Sequence, residues 1–249
     1  MSAIHSEVGI QMNATRWVTH SMAAGAQRIS NIVQLTEEDW KAFDHAFAPL
    51  VRNIPAQYTL IREGEQAKNV YLILSGWACC TKILPNGRRQ IISFQLPGDL
   101  CDPFMYLLPR VDYSISTLTE VICAEVSHEI FERLITDHPR LARASYLCTL
   151  QQAARQREWA VSLGQRVASQ RLAHLFYDIY TRLREVGMTN GNFCHFPATQ
   201  ADIGDATGLS TVHVNRTMQD LRAAELIRLS HRRLEIRNHE RLRSAALIT

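Results

Sequence analysis

The side chains best suited to chemistry in this chain form one polar row near its carboxyl end. The row recurs at helical spacing and consists of Val212, Asn215, Arg216 and Gln219. The opposite side of the same helix carries an apolar stripe of Val214, Met218 and Leu221. The polar row is short and rich in hydrogen-bond donors, and its arginine can grip a guanine edge in two places. The pattern predicts a helix that reads base edges in duplex DNA.

A second helix must hold this one in place, and the sequence marks the start of both. Thr199 and Asp202 have the spacing of a capping box for the first helix, and Ser210 is a natural N-cap for the second. Gly208 lies between them and permits the backbone conformation of a tight turn. The segment predicts a helix-turn-helix, although an ordinary solvated helix pair is the alternative for this stretch alone.

The residues that follow favour the DNA-reading interpretation. Two short alternating strands occupy residues 226–236 around a basic tip, the pattern of a winged helix whose hairpin touches the phosphate backbone. From residue 164 onward, 12 Arg stand against 8 Asp plus Glu, which gives +4. The first 163 residues hold 15 Lys plus Arg against 16 acids, which gives −1. A near-neutral amino-terminal part and a basic carboxyl-terminal part are typical of a sensor domain attached to a domain that binds phosphates.

Composition excludes several classes of protein. The chain has 249 residues, 46% hydrophobic and 20% charged, which predicts a soluble globular protein with room for two cores. No apolar run approaches the length of a bilayer-spanning helix, and no secretory signal is visible at the start, so we expect a cytoplasmic protein without a membrane partner. The six cysteines lack zinc or iron–sulfur spacing and are interpreted as small buried thiols.

Ahead of the helix pair, the periodicity of the chain changes twice. Residues 1–34 are weakly periodic, and a helix capped by Thr36 follows them. Residues 58–127 contain short strands with a strong hairpin turn at Asn86-Gly87, which indicates a small barrel or jelly roll. A long helix over residues 139–163 is followed by Gly164 as a candidate hinge. Its approximate coiled-coil seam consists of Leu147, Leu150 or Gln151, Ala154 and Val161, and Arg157 or Glu158 interrupts it.

These elements predict an α+β fold with four parts. They are an N-terminal extension (1–34), a jelly-roll-like β-barrel sensor domain (35–138), a dimerisation helix (139–163) and a winged helix-turn-helix domain (164–249). In this order the chain resembles the CRP/FNR superfamily of bacterial transcription regulators. The most specific segments are Arg62-Glu63-Gly64-Glu65, Tyr71-Leu72-Ile73-Leu74-Ser75-Gly76, Leu96-Pro97-Gly98-Asp99 and the helix pair.

The resemblance implies a homodimer that binds an inverted-repeat operator in double-stranded DNA, with RNA polymerase as an expected partner. Arg216 matches the family's guanine-contacting arginine, and Thr211, Val212 and Asn215 match the other base-facing positions, with Gln219 beside them. The residues expected at phosphates are Thr199, Gln200, Ser210, His213, Arg232 and Arg233. Many relatives carry Glu where this chain has Val212, which can only make apolar contact, for example with a thymine methyl. We therefore expect a half-site unlike those of the best-known members.

The signal that reaches the barrel is not evident from the sequence, and no cofactor is predicted. The family's cyclic-nucleotide cradle needs a Gly-Glu pair and an Arg followed by Ser or Thr, but Cys101-Asp102 and Asp112-Tyr113 align with these pairs. An Asp in place of the arginine would repel a phosphate, although a register shift of two residues would restore an arginine, Arg110. The candidate effector-pocket residues are Asp99, Asp102, Arg110 and Ser114. A small-molecule effector therefore stays unidentified and is not expected to be cAMP, with a cyclic-nucleotide-, haem- or redox-gated regulator as the alternative.

Other functions have weaker support in the sequence. The chain has no G-x-S-x-G, no P-loop and no pair of metal ligands on one helix, so we do not expect an enzyme. Nothing singles out His128 or His138 as a haem ligand. The aromatic side chains Trp77, Tyr106, Tyr146 and Trp159 are interpreted as core filling rather than as the lining of a pocket. An interaction module that has lost DNA binding is disfavoured by Arg216 and the basic wing.

Overall fold

The structure, a computed structural model, describes residues 24–248. Residues 24–30 are helical, and the rest of the predicted N-terminal extension before residue 24 lies outside the described residues. Helix α1 (Glu37–Phe47) begins at the cap predicted at Thr36, which forms a capping box in which Asp39 N donates to Thr36 Oγ1 over 3.2 Å. Its apolar side stacks Phe43 on Phe47, with ring centroids 4.6 Å apart.

The barrel consists of two four-stranded antiparallel sheets within the described residues, in the orders β1-β8-β3-β6 and β2-β7-β4-β5. The strands are β1 (Val51–Ile54), β2 (Thr59–Ile61), β3 (Asn69–Ser75), β4 (Ala78–Ile83), β5 (Arg89–Gln95), β6 (Leu100–Cys101), β7 (Ser114–Thr117) and β8 (Val121–Ser127). The hairpin predicted at Asn86-Gly87 joins β4 to β5, and Gly87 has φ +81°, which glycine adopts without strain. The predicted jelly-roll-like domain is confirmed.

Helices follow the barrel. They are α2 (His128–Asp137), α3 (Pro139–Gln165), α4 (Ala168–Glu185), α5 (Gln200–Thr207), α6 (Thr211–Ala223) and α7 (His239–Ala245). The long helix α3 starts with Pro at its first position, where the missing N–H costs nothing. It continues through Gly164, the predicted hinge, and ends at Gln165, so the non-helical break before α4 falls at Arg166 and Val167. Among residues 24–248, no helix combines the length and apolarity needed to cross a bilayer.

A third antiparallel sheet closes the carboxyl-terminal part, in the order β11-β12-β10-β9. Its strands are β9 (Thr189–Asn190), β10 (Phe193–His195), β11 (Ile227–Ser230) and β12 (Arg233–Ile236). The last two form the hairpin predicted after the helix pair. With α4 to α7 they complete a winged helix-turn-helix domain, and the predicted α+β architecture is confirmed.

The barrel interior and the carboxyl-terminal domain have separate apolar clusters, and the outer face of β4 and β5 belongs to the second. On β4, Cys80 faces the barrel interior, whereas Cys79 lies in a cluster with Ile91 and Phe94 from β5 and with Leu172 and Phe176 from α4. Adjacent residues of a strand point to opposite faces, so β4 and β5 serve the barrel interior on one side and the neighbouring domain on the other. The sheet is therefore buried on both faces where the carboxyl-terminal domain covers it.

Candidate nucleic-acid interface

Local hydrogen bonds fix the start of both helices in the helix-turn-helix. The predicted capping box is formed, since Asp202 N donates to Thr199 Oγ1 over 3.1 Å and Thr199 N donates to Asp202 Oδ2 over 2.9 Å. Ser210 Oγ accepts from His213 N over 3.2 Å and caps α6. Gly208 ends α5 with φ +70°, the left-handed conformation expected of it.

Close packing sets the distance between the two helices. A Cβ on Gly204 would lie 2.6 Å from Leu209 O, so only glycine lets the turn approach α5 this closely. The apolar stripe of α6 faces inward as predicted, because Val214, Met218 and Leu221 are all buried. Thr217 is buried beside them. These four residues form the buried side of α6, and the opposite side faces the solvent.

The five residues predicted to contact bases cover that opposite side, and we call them the reading row. All five are exposed: Thr211, Val212, Asn215, Arg216 and Gln219. The Val212 side chain is 79% exposed, and Gln219 Nε2 donates to Asn215 Oδ1 over 3.2 Å. The Arg216 guanidinium makes no hydrogen bond or ion pair with another residue of the described part of the chain. The row thus presents its donors and one apolar side chain to the solvent.

The residues predicted to touch phosphates are exposed too, and they flank the reading row. They are Thr199, Gln200, Ser210, His213, Arg232 and Arg233. Thr199, Gln200 and Ser210 lie at the amino ends of α5 and α6, where free N–H groups and the helix dipole favour anions. Arg233 stacks its guanidinium 3.7 Å from the centroid of the Phe193 ring, which orients it on the wing.

The tip of the wing is a strained two-residue turn. His231 and Arg232 have φ values of +49° and +59°, between the paired residues Ser230 and Arg233. Such turns normally take Asn-Gly, because other side chains crowd the backbone at positive φ. The turn is anchored by Phe196 N, which donates to Arg232 O over 2.8 Å. The wing therefore keeps Arg232 at its tip at a cost in local stability.

The first helix of the pair is attached to the barrel by charged contacts. Arg89 of β5 lies 2.6 Å from Asp202 and 2.7 Å from Asp205, and Gln90 Nε2 donates to Ala206 O over 3.2 Å. The two aspartates raise the pKa of the Arg89 guanidinium, against the effect of its burial. These contacts hold α5 on the sensor barrel without covering the reading row.

The long helix exposes the seam predicted from its sequence. Leu150 and Val161 are 61% and 49% exposed, Ala154 lies between them in the exposed row, and Leu147 is half-buried. Arg157 and Glu158, one of which was predicted to interrupt the seam, are exposed as well. An apolar row of this kind on a 27-residue helix is suited to a helical partner.

The four residues predicted for an effector pocket have different surroundings. Arg110 is exposed at the surface, with Nη1 3.5 Å from Gly64 O, and Ser114 Oγ accepts from Glu63 N over 3.0 Å. Asp102 is half-buried, and burial together with Asp112 raises its pKa to about 6. Their role as an effector pocket stays a prediction.

Asp99, the fourth of these residues, is buried between two arginines. Arg182 of α4 pairs with Asp99 Oδ2, and Arg28 Nε lies 3.2 Å from Asp99 Oδ1, within ion-pair distance but not aligned for a hydrogen bond. Leu96 N also donates to Asp99 over 2.7 Å. Burial alone would raise the pKa of Asp99, but Arg182 and Arg28 outweigh it and hold the pKa below its ordinary value. Asp99 therefore joins the barrel, α4 and the segment around residue 28.

The six cysteines are all buried free thiols, as interpreted from the sequence. Burial raises the pKa of Cys79, Cys80 and Cys194 to about 12, and that of Cys123 and Cys148 to about 11. Thiols held in the protonated form are poor nucleophiles. No group of three His, Cys, Asp or Glu side chains with the geometry of a metal site occurs within residues 24–248.

Comparison with known proteins agrees with this architecture. A cyclic nucleotide-binding domain model matches residues 51–138, and a Crp-like helix-turn-helix domain model matches residues 170–245. The chain is 32% identical over 198 residues to the transcriptional activatory protein AadR of Rhodopseudomonas palustris, covering 78% of this chain and 79% of AadR. It is 28% identical over 188 residues to the nitrogen fixation regulation protein FixK of Bradyrhizobium diazoefficiens, covering 76% and 78% of the two chains.

A solved structure shares the same fold. FixK2 from Bradyrhizobium japonicum superposes with a TM-score of 0.71 at 22% identity, covering 80% of this chain and 98% of FixK2. The arrangement of barrel, long helix and winged helix-turn-helix is therefore common to both proteins.

Proposed function

This chain belongs to the CRP/FNR superfamily of bacterial transcription regulators, and we propose that it works as a homodimer that reads an inverted repeat in duplex DNA. Its two matched domains make it a DNA-binding regulator, in a family of regulators rather than enzymes. Beyond this, we propose that the protein is a dimer, that exposed residues of α6 read the bases, and that RNA polymerase is its protein partner.

The exposed row on α6 carries this proposal. One side of α6 is buried against α5, while every polar member of the other side is exposed, including an arginine without a partner among the described residues. A bidentate contact from Arg216 to guanine would discriminate by about 1–3 kcal/mol against the wrong base. Thr211, Val212, Asn215 and Gln219 would read the neighbouring bases. The flanking phosphate contacts would set the register without reading sequence.

The exposed seam on α3 supports the homodimer. Exposure of the apolar side chains of Leu150, Ala154 and Val161 to water is unfavourable. Pairing of α3 with the same helix of a second copy would bury these side chains. A two-fold axis along this seam would bring two α6 helices into successive major grooves about 34 Å apart. The operator would then be a pseudo-palindrome. Each half-site would differ from those of the best-known family members at the base that faces Val212.

RNA polymerase is the proposed protein partner, and the cytoplasm the proposed location. Similar proteins carry names such as probable transcriptional activator and transcriptional activator protein FnrL. An activator bound beside a promoter acts on polymerase, and both act where the bacterial chromosome lies. In transcription with purified polymerase, the protein should change the yield from a template that holds the selected operator and leave a scrambled template unaffected.

Selection of bound sequences from random DNA tests the main proposal. We expect an inverted repeat with a guanine in each half-site, and native mass spectrometry of the same sample should show a dimer. Recovery of the unaltered family consensus would contradict the role of Val212. A stable monomer that binds every oligonucleotide equally weakly would refute the proposal as a whole.

A further inference from the structure

The hairpin that joins β4 to β5 brings the sensor barrel alongside the helix-turn-helix. Two open grooves separate this part of the barrel from the helix pair. Arg88 of the hairpin lines one of them together with Ser210, the cap of α6. Arg89 lines the other, which also includes Thr199 and Arg232. Three of the six residues predicted to touch phosphates therefore border a groove that the hairpin borders too.

Arg88 combines a fixed backbone with a free side chain. Its backbone N donates to Asn86 Oδ1 over 3.1 Å, and its carbonyl accepts from Leu84 N over 2.9 Å. The side chain is exposed, and its guanidinium makes no hydrogen bond or ion pair with another residue between 24 and 248. A guanidinium whose donors are all available is suited to binding a phosphate in two places.

The residues that follow Arg88 attach the hairpin to the helix pair. Arg89 lies 2.6 Å from Asp202 and 2.7 Å from Asp205, both on α5. Gln90 Nε2 donates to Ala206 O over 3.2 Å at the end of the same helix. These contacts fix the position of Arg88 relative to α5 and α6, so Arg88 approaches DNA whenever α6 does.

The charges at this contact leave Arg88 available for an anion. The ion pairs join Arg89 to both aspartates, Asp202 and Asp205. One positive charge thus stands against two negative charges close to the predicted phosphate contacts, and this excess would repel DNA. Arg88 supplies the second positive charge and restores the balance. It is also the only one of these four groups that forms no pair within the described part of the chain.

We propose that Arg88 binds a phosphate of the operator, so that the sensor barrel itself takes part in holding DNA. The inference rests on the proposed docking of α6, which places Ser210 at the DNA backbone. A backbone strand at Ser210 passes the groove that Arg88 lines. The contact adds affinity without reading sequence. It is made only while the barrel and the DNA-binding domain keep the arrangement that Arg89 and Gln90 hold.

Salt-dependent binding of the full-length protein to the selected operator and to a scrambled duplex tests the proposal. Arg88→Gln should weaken binding to both duplexes by the same factor, about threefold to tenfold for each protomer, and lower the salt slope by about 1 for each protomer. Arg88→Lys, which keeps the charge, should retain most of the slope. Arg133→Gln, on the exposed side of α2, should bind both duplexes as the wild type does.

A second measurement locates the contact on the DNA. In a series of operators, each phosphate in turn is replaced by an uncharged methylphosphonate. At one position of each half-site, the replacement should weaken binding of the wild type and leave binding of Arg88→Gln unchanged. An unchanged salt slope in Arg88→Gln, or a loss of binding confined to the operator, would overturn the proposal. Unchanged DNA binding with loss of polymerase-dependent transcription would assign the hairpin to the polymerase and overturn it too.

Failure of this proposal can be distinguished from failure of operator reading by α6. A wild type that does not distinguish the operator from the scrambled duplex would refute the reading of sequence. The salt slopes on scrambled DNA would still test Arg88, because a phosphate contact does not depend on sequence. If the wild type distinguishes the two duplexes and Arg88→Gln keeps its salt slope, only the contact from the barrel is refuted.

Discussion

The reading row of α6 and the junction around Asp99 are both rich in polar side chains, but they use them in opposite ways. On α6 the polar groups are exposed, and Arg216 has no partner among the described residues. At the junction, Asp99 is 1% exposed and is compensated by Arg28 and Arg182. Polar groups in water can be changed at little cost to folding, whereas buried charges depend on one another. The comparison separates residues that serve recognition from residues that hold domains together.

The largest effect is expected from breaking the junction. Asp99→Asn would leave two buried guanidinium groups without their carboxylate, and the free energy of unfolding should fall by about 3–5 kcal/mol. Urea unfolding of the purified protein measures it. Glu37→Gln is the matched control, because Glu37 pairs with Lys41 at 2.7 Å on the surface, where such a pair contributes about 0.3–0.5 kcal/mol. Equal losses of unfolding free energy in Asp99→Asn and Glu37→Gln would contradict the distinction between buried and exposed polar groups.

The next effect concerns the reading row. Arg216→Ala should lower the discrimination between the selected operator and a scrambled sequence by about 1–3 kcal/mol and leave the free energy of unfolding within about 0.5 kcal/mol. Fluorescence anisotropy with both DNA sequences, over a range of salt concentrations, measures this. Weak, salt-sensitive binding should persist through the phosphate contacts. Arg133→Ala on the exposed side of α2 is the control, and retained discrimination in Arg216→Ala would place the reading face elsewhere.

A smaller effect should appear as a dependence of stability on pH. Burial raises the pKa of Asp102 to about 6, so the folded protein binds a proton more tightly than the unfolded chain, in which the pKa is about 4. The contribution of Asp102 is therefore most favourable below pH 4 and declines as the pH rises through 6. In Asp102→Asn, the free energy of unfolding should decline with rising pH by about 1 kcal/mol less than in the wild type. The measurement is the free energy of unfolding of both proteins as a function of pH. Parallel curves from pH 4 to 7 would contradict it.

The wing is expected to give the smallest of these effects, and its change in stability should oppose its change in binding. Replacing His231-Arg232 by Asn-Gly should raise the free energy of unfolding by about 0.5–1 kcal/mol, because these residues adopt positive φ with less strain. The same double variant should bind DNA more weakly and reduce the salt slope by about 1, the share of one phosphate contact. Thermal unfolding and anisotropy separate the two effects. A gain in both would show that the tip does not touch DNA.

The local parts of this molecule were predictable from the sequence because short-range signals determine them. The capping box at Thr199 and Asp202, the turn at Gly208 and the apolar stripe of α6 all involve residues within a few positions of one another. The hairpin at Asn86-Gly87 and the wing follow from turn chemistry in the same way. The helical spacing of apolar and polar residues, together with the cap residues, is enough to identify the exposed row of α6.

The junction could not be predicted, because its partners are distant in the chain. Arg182 and Asp99 lie 83 residues apart, and no pattern in the sequence connects them. Asp99 was expected in an effector pocket, and the sequence did not indicate that it lies between Arg28 and Arg182. Trp159 was interpreted as core filling, and the structure shows it half-buried and among the residues that line a cavity. Such contacts depend on how the carboxyl-terminal domain covers β4 and β5.

The exposed valine on α6 has a consequence for how such regulators diversify. Because Val212 is 79% exposed, its replacement would change the surface of the proposed reading row without opening a void in the protein. Duplicated copies of the gene could therefore acquire new operators one codon at a time, whereas Gly204, which faces Leu209 O at 2.6 Å, must be inherited unchanged. Divergence of target sets within a genome is then limited by the operators available rather than by the tolerance of the fold.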